Sequence, residues 1–399
     1  MSAARKFVTV TIPVFVAAVL VVAGGVELWV RARWNPKNGT PGLFLSDARR
    51  GQRFAPNYDG WFAGVPVHIN NLGFRDPRDY STAKRPGTFR IVFLGDSVTF
   101  GHGSVYEHTY PYLFEQKLKA WRPDVDWQVW NLAVPGYNTS QELEHLKEIG
   151  PQFSPDLVVI GFFENDLVDN SDAGSPGVVR TLAAAAVSAA QRHIYSFDLY
   201  KKVYMRLAWK MSASDAYRQR LEAIAAEEKL LQTVEDASLL TQQAITNFDR
   251  LSGEQLRGSC LHPAPPSHAL VDAVQREEGY NDWLRAVRSI QRFNTDGTYR
   301  IVFFLNVPPP QCPDTNEVFY DEGDSGVNSL FMKVMSAGTP AVSMHDALLH
   351  VRPSQMPGIN GHAIGNSNVV KAEVLFAFLS DRVLPEALQR QRQTSAAAR

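Results

Sequence analysis

Cysteine is nearly absent: the chain has two, Cys260 and Cys312, in 399 residues. That excludes a disulfide-rich scaffold and a zinc-type Cys/His array, and it allows one bridge at most. Excess charge of one sign is missing too, since 40 Lys and Arg face 41 Asp and Glu for a net charge of −1. With no basic run interleaved with aromatics, nothing favours nucleic acid as a partner. No phosphate-cradling Gly-rich loop occurs, and neither cofactor nor metal is implied. What remains is globular in character. A hydrophobic share of 45% supports a sizeable core, as one large domain with additions or as two domains.

Long apolar runs are also lacking, with one exception at the start of the chain. Phe7 to Val26 is uncharged and mostly apolar, about 30 Å as a helix and so long enough to span a bilayer. Arg5 and Lys6 precede it, Glu27, Arg31 and Arg33 follow it, and Trp29 and Trp34 sit where interfacial anchors belong. The run reads as an uncleaved signal anchor, with the rest of the chain exported to the periplasm or the cell exterior. Cleavage at Val21-Val22-Ala23 would instead give a secreted protein, and a buried core helix is the third reading.

Residues 35–88 are rich in Pro, Gly, Asn and Arg, which predicts loops and short strands that lead into a main domain. Within them, His68 to Asp76 predicts an ordered turn, structural in role, with substrate contact by Asn70, Asn71 or Arg75 as the alternative. From residue 89 onward, strand-like runs alternate with helix-like ones. The strands are Phe89–Leu94, Trp127–Leu132, Leu157–Phe163, Arg300–Val307 and Ala341–Met344. The helices include Tyr110–Trp121, Ser140–Ile149, several between 172 and 293, and Asn368–Leu379. This alternation predicts an α/β fold with a doubly wound parallel sheet in three layers. In such sheets ligands bind beyond the carboxyl ends of the strands, and Ser97, Gly136 and Asn165 each fall just after one of the first three. Residues 172–293 read as an inserted helical region, packed on the sheet or acting as a lid. Cys260 and Cys312 lie in loops and could pair in an oxidising compartment. After Leu384 the composition turns to Ala, Gln and Arg, which predicts a frayed tail.

Gly95-Asp96-Ser97-Val98 follows a buried strand, where the chain turns sharply and presents a hydroxyl. Such a hydroxyl is a weak nucleophile until a base takes its proton and donors hold the oxyanion it creates. This block resembles the first of the GDSL, or SGNH, hydrolases. Gly136 in Asn131-Leu132-Ala133-Val134-Pro135-Gly136, Asn165-Asp166 after Gly161, and His362 in Asn360-Gly361-His362 are similar to the other three blocks. The similarity covers about residues 65–385, and the Asn-Asn-Leu-Gly-Phe-Arg-Asp lead-in is similar to that of membrane-anchored bacterial members.

The resemblance implies a flavodoxin-like fold with Ser97 as nucleophile and His362 as base. It implies an oxyanion hole from the Ser97 N–H, the Gly136 N–H and the Asn165 side chain. His102, His108, His345 and His350 are rival candidates for the base. The family places an aspartate two or three residues before the histidine, where this chain has Asn360 and Ile359. Asp346 could replace it as the orienting acid, or the site could run as a Ser–His dyad.

The expected organisation is an anchor (1–34), a lead-in (35–88), a hydrolase-type domain (89–385) with its insertion (172–293), and a tail (386–399). The expected function is hydrolysis of an acyl ester outside the cytoplasm, the ester belonging to an envelope glycan or a lipid. An O-acyltransferase acting on envelope polysaccharide and a non-catalytic carbohydrate-binding or scaffold subunit are the alternatives.

Overall fold

The computed structural model of the chain describes residues 7–35, 37, 39–163, 166, 178–197, 199–200, 203, 207, 267–276, 279–306, 322–344, 358–359 and 362–397. It opens on α1 (Ile12–Arg33), part of a helix long and apolar enough to cross a membrane (Thr9–Arg33). Two antiparallel hairpins follow, β1 (Phe44–Asp47) with β2 (Gly51–Phe54) and β3 (Tyr58–Phe62) with β4 (Val65–Ile69). Neither could bury enough apolar surface alone. Instead Leu43, Phe54, Val67 and Ile69 form a small core with Phe100, Val134 and Tyr137 of the main domain. The predicted lead-in is thus packed onto the part of the domain that carries Ser97.

The main sheet is built from β5 (Thr88–Gly95), β6 (Asp126–Asn131), β7 (Leu157–Phe162), β8 (Ile301–Leu305) and β9 (Ala341–Ser343), all parallel, in the spatial order β6-β5-β7-β8-β9. Phe89 to Leu94, Val158 to Ile160 and Ile301 to Phe304 are buried on both faces, which is why these runs do not alternate with polar residues. After α2 (Ser97–Phe100), helix α3 (Tyr110–Trp121) leads to β6 on one side of β5, and α4 (Thr139–Phe153) leads back to β7 on the other. Right-handed crossovers then place α3 and α4 on opposite faces. The order reverses at β5, so the crevice between β5 and β7 is the topological switch point where such sheets bind ligands.

Farther along lie α5 (Val178–His193), α6 (Ser267–Arg276), α7 (Tyr280–Thr295) and α8 (Glu322–Met335). A minimal hairpin of β10 (Gly358–Ile359) and β11 (His362–Ala363) precedes α9 (Asn366–Arg382) and α10 (Leu384–Ala397). Cys260, Cys312 and most of the predicted insertion lie outside the described residues.

Two expectations are corrected. The Ala, Gln and Arg-rich end does not fray after Leu384. It is helical through Ala397, with Leu384, Ala387 and Leu388 buried and Gln391 Nε2 donating to the Thr88 carbonyl at 2.6 Å. Helix α4 runs past the predicted end at Ile149 despite Pro151 inside it, because Phe153 continues the buried face of Leu146 and Ile149, and the chain leaves the helix only at Ser154, which is left-handed with φ 47°.

Candidate active site

Strand β5 ends in Gly95, and the chain turns at once into α2, a helix of four residues. Asp96 makes the turn possible: its carboxylate accepts from the Val98 N–H at 2.9 Å and caps the helix. Ser97, the first residue of the turn, is half-buried at the carboxyl edge of the sheet. The residue that meets it comes from the far end of the chain. His362 lies on β11, paired across the hairpin with Ile359, and its Nε2 is 2.8 Å from the Ser97 Oγ. Of the ten histidines, this is the one the four-block resemblance names.

His102, a rival for the same role, instead lies beside it. Its ring stacks on His362 with centres 4.2 Å apart and planes 21° from parallel, and Phe62 of β3 stands edge-on against it at 5.3 Å. The His102 N–H also donates to the Ser97 carbonyl at 3.0 Å. His108 is exposed in a short turn, and His345 and His350 lie outside the described residues.

The loop that carries His102 is held from behind by buried side chains. Arg75 donates to the carbonyls of Phe100 (2.8 Å), Gly101 (2.9 Å) and Ser104 (2.5 Å). Asn368 of α9 donates to the Ser104 hydroxyl at 3.1 Å and the Ala363 carbonyl at 3.3 Å, which ties this loop to the His362 hairpin. Arg75 and Asn70 are buried, and Asn70 is spent on its own turn. The lead-in motif is therefore structural at these two positions, and substrate contact by them is excluded. Asn71 is exposed and donates to the Tyr80 carbonyl.

Gly136 stands at the tip of the turn after β6, exposed, with φ 80°, a backbone state that favours glycine. Two bonds fix that turn beside the Ser97 strand. The Val134 N–H donates to the Gly95 carbonyl at 3.0 Å, and Gln52 Nε2 donates to the Pro135 carbonyl at 2.6 Å. Asn165 and Asp346 lie outside the described residues.

Beneath Ser97 lies a layer of buried polar groups. The Thr99 hydroxyl is 3.0 Å from the Tyr110 hydroxyl, which donates to it, and 3.4 Å from the Asn306 amide. Three carboxyls, Asp96, Glu142 and Asp166, and one amine, Lys371, are fully buried in this layer. Burial and repulsion from Asp96 push the Glu142 carboxyl well above its usual range. Burial and repulsion from Glu142 and Asp96 do the same to Asp166, although the Phe163 N–H and Thr139 hydroxyl favour its charged form. Burial pulls the Lys371 ammonium down to about 7 against the attraction of Asp96. Such perturbed groups cluster at functional sites because burial near reacting atoms is what catalysis requires.

Asp96 and Asp166 stand in two of the four motif blocks, whereas Thr99, Tyr110, Glu142, Asn306 and Lys371 lie outside them, and for Lys371 one signal was available. Ser367, Lys371, Leu375 and Leu379 recur every four residues, which places Lys371 on the buried stripe of α9.

Residues 93–290, about half of the chain, match the model of the GDSL-like lipase/acylhydrolase family. No curated protein matches. Distant similarities to solved structures include the lipase Lip_vut3 from a goat rumen metagenome, at 16% identity over 73% of this chain and 97% of that one with a TM-score of 0.37. The psychrotrophic esterase EstA from Pseudoalteromonas sp. is 11% identical over 73% and 96%, with a TM-score of 0.35. The lipase/acylhydrolase from Enterococcus faecalis is 11% identical over 74% and 97%, also with a TM-score of 0.35. The chain belongs to the GDSL-like lipase/acylhydrolase family and is an ester hydrolase.

Proposed function

We propose that Ser97 is the nucleophile and His362 its base in hydrolysis of an acyl ester outside the cytoplasm, with α1 holding the domain at a membrane. The observation that carries this reading is the 2.8 Å contact between Ser97 Oγ and His362 Nε2, which is hydrogen-bond reach for a proton transfer. In the first half-reaction Oγ bonds to the acyl carbon, its proton passes to Nε2, and the same proton leaves with the departing alcohol. In the second, water gives its proton to Nε2, attacks the acyl-enzyme, and releases the acid as Ser97 regains a proton.

The oxyanion formed in each half would be held by the N–H groups of Ser97 and Gly136 and the side chain of Asn165. The positive φ and exposed position of the Gly136 turn support this role. Asp346, which follows β9, is the proposed orienting acid for the imidazole. The proposed ester is one on an envelope glycan or lipid, since an anchored domain meets those first.

Fluorophosphonate labelling and hydrolysis of a p-nitrophenyl ester test the assignment. Ser97→Ala is expected to abolish labelling. Both Ser97→Ala and His362→Ala should lower kcat by on the order of 10⁴ to 10⁶. Equal labelling of wild type and Ser97→Ala would overturn it.

A further inference from the structure

Resting on the anchored placement proposed above, we infer that α5 and the exposed apolar residues described after it, Ile194, Tyr200, Val203 and Leu207, form a second lipid-facing surface, which lies in the bilayer interface beside the emerging end of α1. Among the described residues, large apolar side chains stand exposed in only two stretches. One is the anchor, Phe7 to Trp29. The other holds Leu182, Val187, Ile194, Tyr200, Val203 and Leu207. Leu182 is 67% exposed and Leu207 56%, as open as the anchor's own Leu20 at 65%. Elsewhere the described residues expose no such side chains, so this stretch is not ordinary surface scatter.

The second stretch is joined to the first. Arg31 Nη2 donates to the His193 carbonyl at 2.6 Å, and the Glu27 carboxylate accepts from the N–H groups of Tyr195 (3.0 Å) and Ser196 (2.8 Å). The Arg31 guanidinium lies 4.5 Å from the centre of the Tyr195 ring, and Trp34 meets the same ring edge-on at 5.6 Å. An apolar surface fastened to the end of a membrane helix begins where the hydrocarbon ends.

Its chemistry fits a lipid surface. Helix α5 has no acidic residue, and exposed Arg192 on it and Arg33 on α1 would meet phosphate headgroups. Tyr200, Val203 and Leu207 stand three and four residues apart in sequence, a spacing that suits one face of a helix. The inner side of α5 is already occupied: Ser188 exchanges hydrogen bonds with the backbone of Ser46 on β1, at 2.8 and 3.3 Å.

The seat reaches the active site through one hairpin. The β1–β2 hairpin is bonded to the Gly136 loop by Gln52 to Pro135 and Tyr137 to Gln52, and to the start of α4 by Gln141 to Arg50, each at 2.6 Å. Contact between α5 and lipid therefore fixes how the Ser97 edge of the sheet is turned relative to the bilayer.

Photoreactive benzoylphenylalanine placed singly at Leu182 and Ile194 of the full chain tests this in vesicles of phosphatidylethanolamine and phosphatidylglycerol. Leu20 serves as the lipid reference and exposed Ser81 as the aqueous one. Lipid adducts at Leu182 and Ile194 are expected at yields like that of Leu20 and about tenfold or more above Ser81. Yields at the Ser81 level, with Leu20 still reacting, would overturn the inference and leave the anchor intact. Crosslinks from Leu182 to this chain or to a second copy would overturn it as well, by showing that protein covers the face. Failure at Leu20 too would remove the anchor reading and this inference together.

Discussion

The imidazole of His102 lies face to face with that of His362, 4.2 Å between centres, and Phe62 stands edge-on to it at 5.3 Å. A flat ring clamped in this way fixes the plane of its neighbour, and an aligned base is worth more than a mobile one. Aromatic pairs contribute about 0.5–1.5 kcal/mol beyond their buried area. His102→Ala should therefore lower kcat by about tenfold with little change in KM. His102→Phe, which keeps a stacking ring, should recover most of the loss. Steady-state kinetics check this, and equal losses in both variants would refute the stacking role.

Arg75 is a cation with three backbone carbonyls around it and the Phe100 ring at 4.4 Å. Its fork spans acceptors on Phe100, Gly101 and Ser104 that a single ammonium could not bridge together. Removing it strands buried acceptors at about 1–3 kcal/mol each. Arg75→Met should destabilise the protein by about 3 kcal/mol or more in urea denaturation, and Arg75→Lys should rescue little of it. A loss under about 1 kcal/mol, the scale of an ordinary exposed contact, would mean that the loop holds itself.

Much of this architecture was legible because the governing patterns are local. The strand-like runs Phe89–Leu94, Trp127–Leu132 and Leu157–Phe163 emerge as β5, β6 and β7 with each end within one residue, and their carboxyl ends predict the site. Helix Tyr110–Trp121 emerges with the bounds its periodicity predicts. The contact between Ser97 and His362 could be named only through the four-block resemblance, since no periodicity links residues 265 apart in sequence.

The partners of Arg75 were hidden for a related reason, because backbone carbonyls leave no mark on residue type. His102 was visible as a rival base but not as a stacked neighbour, a relation that depends on two glycines of positive φ, Gly101 and Gly103, which flank it. The tail misled because composition alone says fraying, whereas Leu384 and Leu388, four apart, find a hydrophobic face to cover.

Glu142 gives the fold a pH dependence of definite sign. Its carboxyl is held protonated in the fold well above the pH at which an unfolded glutamate ionises, chiefly by burial. Below the unfolded value both states carry the proton and nothing is lost. Above it the unfolded chain releases the proton while the fold retains it, so stability falls as pH rises toward the folded value. Glu142→Gln copies the protonated acid and cannot ionise. The variant should match wild type near about pH 4 and exceed it by about 1 kcal/mol or more near about pH 8. Urea denaturation at both values checks this. A difference independent of pH would show that Glu142 is ionised in the fold.

Gly161 on β7 is the tightest point of the floor beneath Ser97. A Cβ there would lie 2.1 Å from the Thr99 hydroxyl, 2.8 Å from the Asn306 amide and 3.0 Å from the Tyr110 hydroxyl. These three groups are bonded to one another, so none can yield without breaking the layer on which the Ser97 turn rests. Overpacking of this kind costs about 1–3 kcal/mol. Gly161→Ala should lose that much in denaturation and should also lower kcat, because Thr99 belongs to the same turn of helix as Ser97. Removing the nearest obstacle gives the sharper test. In the double variant Gly161→Ala, Thr99→Ala the clash with the hydroxyl is gone, so the two effects should sum to less than their separate losses, with coupling of about 1 kcal/mol. Strict additivity would place the cost of the methyl group somewhere other than Thr99.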